Sequence, residues 1–180
     1  MMPVFIEESG MKFGPFKDEN IFHIERSDIY KQLQHGLQMA EFLLFRPEKK
    51  DLLILEAKTS APNPNSCNME NEKQIDDRQK RFEEYITEIH EKLLNALTLA
   101  INLYLDRHEN GKSELPQNIR NIKFDNVEIR LLLVIKNHKK VWLKDIQDKL
   151  QQKLRSATKT WRCTVTAINE EEARRFKLIQ

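Results

Sequence analysis

Two apolar runs of strand length, residues 37–46 (LQMAEFLLFR) and residues 51–58 (DLLILEAK), lie either side of the four residues Pro47-Glu48-Lys49-Lys50. A connection this short joins neighbouring antiparallel strands. Both runs are apolar on both faces over much of their length, the pattern of strands covered on two sides. The pair therefore predicts a hairpin at the centre of a sheet with further layers above and below it. Everything else in the chain has to supply those layers.

The flanking sequence supplies helices and more strands. Residues 3–36 hold short apolar clusters, Val4-Phe5-Ile6 and Ile21-Phe22-His23-Ile24, broken by Gly10, Gly14 and Pro15, which suits strands and turns. Ser27-Asp28 predicts the cap of a short helix running to Gln34 and ended by Gly36. Past the hairpin, a Pro/Asn-rich stretch from Thr59 stays polar to about Glu72, long for a connection in a compact domain. From there to Arg107 the spacing turns helical, with Ile75, Phe82, Ile86, Ile89, Leu93, Leu97, Ala100 and Tyr104 on one stripe. Gly111 and Pro116 mark a surface connection. A strand over residues 127–135, a helix over 142–154, a strand over 161–168 and a final helix over 170–176 capped by Asn169 follow. A strand, helix, strand series predicts a parallel pair with a right-handed crossover. The expected class is α/β: a mixed central sheet flanked by helices, in one domain spanning residues 1–180.

Composition narrows the function classes. Hydrophobic residues make up 39% and charged residues 32%, enough apolar material to argue against disorder. The formal net charge of +2 is too balanced for nucleic-acid binding to follow from composition, so such binding has to come from local patches. Cys67 and Cys163 are too few for a disulfide framework or a zinc cluster, and the five histidines show no metal-ligand spacing. No signal-peptide pattern opens the sequence and no run approaches the about 20 apolar residues of a membrane span. A soluble protein of the reducing cytoplasm, without membrane partners, is the expectation. Internal repeats, a Gly-rich phosphate loop, a G-X-S-X-G elbow and a Cys/His nucleophile arrangement are all absent from the sequence.

The hairpin also carries the chemistry. With Arg46 opposite Asp51, the register sets Leu43 opposite Ile54, Glu41 opposite Glu56 and Met39 opposite Lys58, and alternation puts Glu41, Glu56 and Lys58 on one face. Opposed carboxylates with Cβ atoms about 5 Å apart are destabilising unless something compensates. Half-buried among apolar neighbours, they either share a proton or gather around a cation. Lys58 supplies one positive charge. Mg²⁺, which commonly takes one or two carboxylates and keeps several waters, would supply more.

An acidic residue on one strand, a short hairpin, then Glu-X-Lys ending an apolar strand, here Glu56-Ala57-Lys58 within LLILEAKTS, resembles the core motif of the PD-(D/E)XK nuclease superfamily. The long helix and later strand resemble its α/β core order. The resemblance implies a restriction-endonuclease-like fold and Mg²⁺-dependent hydrolysis of phosphodiesters, with Mn²⁺ as substitute, in DNA ahead of RNA. It implies Glu41 and Glu56 as metal ligands and Lys58 as the residue that positions or activates water or stabilises the phosphate. Glu25 is the candidate for the additional acid that many members place before the hairpin. Glu41 replaces the usual aspartate, and no Pro-Asp precedes the hairpin. The alternative is a non-catalytic descendant, a structural or interaction subunit of a nucleic-acid-processing or defence assembly.

Outside the motif, the basic loop Lys136-Asn137-His138-Lys139-Lys140 follows a buried strand, where α/β sheets open on ligand crevices, and Lys136, His138, Lys139 and Lys140 are the candidate phosphate-backbone contacts. Ser60, and Gln74, Arg78, Lys80, Arg81 and Lys92 on the long helix, are weighed against turn chemistry and an ordinary solvated face. Cutting both strands of a duplex needs two active sites, so a homodimer, or a protein partner in a larger system, is a further expectation. Trp142 and Trp161 read as core or interface anchors.

Overall fold

The computed structural model describes residues 3–33, 35–63 and 72–180. Cys67, Gln34 and the second half of the Pro/Asn-rich stretch lie outside them. In chain order the elements are β1 (Val4–Glu8), β2 (Met11–Phe16), β3 (Ile21–His23), α1 (Asp28–Leu33), β4 (Phe42–Arg46), β5 (Asp51–Lys58), α2 (Glu72–Tyr104), α3 (Gly111–Glu114), α4 (Gln117–Arg120), β6 (Glu128–Ile135), α5 (Leu143–Lys153), α6 (Arg155–Thr160), β7 (Thr164–Asn169) and α7 (Glu170–Arg175). The chain folds as a mixed α/β protein with a five-stranded sheet in the order β3-β4-β5-β6-β7, beside a separate β1–β2 hairpin. β3, β4 and β5 are antiparallel neighbours, whereas β5, β6 and β7 run parallel.

β5 is the centre of this arrangement. Residues 51–57 are all buried, as its unbroken apolar run requires, because α2 and α5 cover one face of the sheet and the β1–β2 hairpin with the C-terminal residues covers the other. Under the helices, Leu43, Leu52, Ile54, Leu131 and Leu133 meet Phe82, Ile86, Ile89, Leu93 and Leu97 of the α2 stripe. On the reverse face, Phe42, Leu44, Leu53, Leu55, Leu132 and Val134 meet Ile6, Met11, Phe13 and Leu178.

The sheet register is pinned at its far end by charge. Asp51, 1% exposed, accepts from Arg46 Nε and Nη2 at 2.8 and 2.5 Å, and Arg130 Nε on the neighbouring β6 lies 3.4 Å from its Oδ2. One buried carboxylate thus joins three adjacent strands.

Several boundaries differ from the sequence expectation. β4 starts at Phe42 instead of residue 37, because the backbone before Glu41 turns toward α2. Ala40 N–H donates to the Lys92 carbonyl at 3.2 Å, and Asn95 Nδ2 donates to the Gln38 carbonyl at 3.0 Å. Met39 consequently leaves the ladder and does not face Lys58. Residues 161–163, expected to open β7, instead form the turn after α6, and Trp161 caps that helix half-exposed at 44%. Ile75, placed on the buried stripe by periodicity, is 42% exposed. Among the described residues, no helix is long and apolar enough to cross a membrane.

The packing gives a direct expectation. Leu93 is fully buried between α2 and the sheet, so Leu93→Ala should lower the unfolding free energy by about 2–5 kcal/mol in urea denaturation.

Candidate functional site

The hairpin ladder pairs Phe42 with Leu55, Leu43 with Ile54 and Arg46 with Asp51. Continued by one position, this register sets Glu41 against Glu56. Glu41 precedes β4 by one residue. Its N–H still donates to the Leu55 carbonyl at 2.9 Å, and its own carbonyl accepts from Ile24 N–H at 3.0 Å, which ties it to both neighbouring strands. Glu41 shares the helix-covered face with Leu43, and Glu56 shares it with Ile54. The two side chains are 7% and 0% exposed.

Lys92, from the middle of α2, reaches down between them. Its Nζ lies 2.9 Å from Glu56 Oε1 and 4.0 Å from Glu41 Oε1. Lys58 Nζ lies 3.3 Å from the same Glu56 oxygen but points mainly to Glu88 of α2, at 2.5 Å. The other oxygen, Glu56 Oε2, is buried and has no hydrogen-bond partner among the described residues, and neither has the nearby Tyr85 hydroxyl.

The electrostatics follow from burial. Burial, then the charges of Glu56 and Glu8, push the Glu41 pKa up to about 8, with Lys92 pulling the other way. Burial also raises Glu56, against the attraction of Lys92 and Lys58. For Lys92, burial disfavours the ammonium, yet Glu56, Glu41 and Glu88 outweigh it and the pKa rises. Burial, then the charge of Glu25, also raises Glu8. His23 Nε2 stands 3.3 Å from Glu8, and burial followed by the Arg26 charge lowers the imidazole to about 4, leaving it neutral.

The basic loop begins at the same end of the sheet: Lys136 N–H donates to the Lys58 carbonyl at 2.8 Å. Its side chains are already engaged. Lys136 Nζ donates to the Gly10 carbonyl at 2.7 Å, Lys139 covers the Trp142 ring, and Lys140 lies 3.0 Å from Glu172. His138 is 7% exposed with its ring packed against Trp142, so it does not present a phosphate contact. Glu25 is exposed on the turn formed by Ile24–Arg26, and its charge raises Glu41 and Glu8. Ser60 is exposed just beyond β5.

Hairpin register thus brings Glu41, Glu56 and Lys58 together, while Lys92, Glu88, Tyr85 and Glu8 complete the cluster from other elements. Helical spacing carried part of that signal, because Glu88 and Lys92 sit four apart beside the apolar positions Ile89 and Leu93. Glu8 had none, since only tertiary folding brings the first hairpin over β4.

Among the described residues no group of three or more His, Cys, Asp or Glu side chains could hold a metal ion. Two carboxylates with an unsatisfied buried oxygen do fit Mg²⁺, whose remaining positions are commonly filled by water and substrate. Compared with known proteins, the chain matches no family model, no curated protein and no solved structure.

The Glu41 shift makes a pH prediction. Between about 4.5 and about 8 the folded state holds a proton that the unfolded chain has lost, so stability falls as pH rises. His23 acts oppositely, but only between about 4 and 6.5. Wild-type stability should therefore decline from pH 6.5 to 8 in urea titrations, and Glu41→Gln should flatten that decline.

Proposed function

We propose that this protein is a Mg²⁺-dependent phosphodiester hydrolase related to the PD-(D/E)XK nucleases, with a restriction-endonuclease-like fold, acting on DNA ahead of RNA. The observation that carries the reading is the buried Glu41–Glu56 pair, with Lys58 against Glu56 and one carboxylate oxygen without a partner among the described residues. An antiparallel run of three strands, then a long helix, then a parallel strand supports it at the level of element order.

In this reading Glu41 and Glu56 hold the ion from facing strands whose positions are fixed by the ladder, so little rearrangement is needed to bring two oxygens to one point. The bound ion would lower the pKa of a water and offset charge on the phosphate. Lys58, at the end of β5, adds a compact positive charge whose reach is set by Glu88. Lys139 and Lys140 at the neighbouring loop would meet the flanking phosphates, exchanging the Trp142 and Glu172 contacts for them. Cutting a duplex would call for a second copy or a partner protein.

Lys92 favours a second reading. An ammonium between the two carboxylates neutralises them without metal, as expected of a non-catalytic structural or interaction subunit that keeps the scaffold and not the hydrolysis.

Titration calorimetry with Mn²⁺ on wild type and Glu56→Ala, beside cleavage of mixed DNA and RNA substrates, separates the two. The hydrolase reading expects binding lost with Glu56, and metal-dependent cleavage reduced about 100-fold or more by Lys58→Ala without loss of folding. No binding at millimolar Mn²⁺ would leave the subunit reading.

A further inference from the structure

We propose that Lys92 is the resident counter-ion of the Glu41–Glu56 pair and that a divalent cation enters the site only by displacing its ammonium. This rests on the reading of that pair as a metal site, and extends it to how the site is kept when no metal is bound.

The geometry singles out Lys92. Among the cations whose contacts place them in the cluster, Lys58 reaches Glu56 but turns to Glu88, whereas Lys92 is within 4.0 Å of both facing carboxylates. It comes from the opposite layer, so its Nζ occupies the space between the two strands instead of flanking it. Glu56 is fully buried, and the Lys92 side chain is only 14% exposed. A cation reaching Glu56 must therefore move the groups that bury it, and the ammonium on its Oε1 is one of them. A divalent ion added to a pair of carboxylates already shared by Lys92 and Lys58 would meet strong repulsion in such a dry setting. The exchange is a replacement and not an addition.

Lys92 also has somewhere to go. Its four-carbon stem is flexible, and Glu88 lies four residues earlier on the same helix, the spacing at which a lysine and a glutamate meet. Movement to Glu88 would loosen Lys58 from that carboxylate at the moment the metal arrives, turning Lys58 toward the substrate side. Metal binding and release of Lys58 become one event.

The test is Mn²⁺ calorimetry on the full chain as wild type, Lys92→Met and Lys92→Arg, with melting temperatures in chelator and in Mn²⁺. Removing the competing charge should tighten Mn²⁺ binding by about tenfold or more, and Lys92→Arg, which keeps the charge, should not. In chelator Lys92→Met should melt below wild type and recover with Mn²⁺. Equal affinities of wild type and Lys92→Met would overturn the displacement while leaving the metal site in place. Absence of binding in all three proteins would overturn both. Binding by Lys92→Met alone would support the displacement and return the native protein to the non-catalytic reading. A measurement on wild type alone guards against a variant that does not fold: in lysine ammonium NMR, the protected Lys92 Nζ signal should vanish as Mg²⁺ saturates the site, and its persistence would overturn the proposal.

Discussion

Two carboxyl groups facing each other beneath a helix cannot both be charged and unaccompanied, and the architecture around β5 can be understood as the answer to that constraint. Burial of Glu56 is imposed by its strand, which lies between two layers and has no exposed side to offer. Burial of Glu41 follows from its place beside Glu56 and from the backbone bonds that hold it to β5 and to Ile24. The molecule responds by keeping a proton on Glu41, by bringing Lys92 from α2 and by closing the edge with Lys58. Each response comes from a different element, so the local charge balance also fixes how α2 lies over the hairpin. Hydrophobic packing along the α2 stripe provides the bulk of the adhesion. The ammonium marks which turn of the helix stands over the carboxylate pair.

Legibility in the sequence followed the range of the interactions. The hairpin register was readable because a four-residue loop and an apolar alternation are local, and Glu41, Glu56 and Lys58 followed from it. The parallel partner strands were readable because βαβ connectivity permits few alternatives. What escaped was settled between elements distant in sequence. Residues 37–40 look like strand by composition, but Gln38 and Ala40 bond to Asn95 and Lys92 on a helix more than 50 residues later. Ile75 fits the apolar period yet is exposed, since periodicity encodes which face a residue shares and not what covers that face. His138 belongs to a basic run, but its ring is drawn inward by Trp142.

The same division applies to short helices. α1 has only six residues, too few to stand by propensity, and its first N–H groups are met by the Glu114 carboxylate, 2.8 Å from Asp28 N and 3.1 Å from Ile29 N. A carboxylate at that end also suits the helix dipole. Nothing near α1 in the sequence announces this cap. The segment that reads as a mere surface connection around Gly111 and Pro116 therefore adds a second cap to the one Ser27 Oγ gives by accepting from Tyr30 N–H at 3.1 Å.

The Arg46–Asp51–Arg130 clamp has a consequence for how this scaffold changes over time. A slip of one residue in β5 would carry Glu56 to the opposite face, so any fold that keeps chemistry on this strand needs its alignment guaranteed by something other than the chemistry. Here the guarantee lies at the opposite end of the strand, five residues from Glu56. Alignment and the buried charge cluster are thus under separate control. The charges at one end can change while the other end keeps the strands in step. Such a protein can gain, lose or alter an activity without first having to learn to fold again.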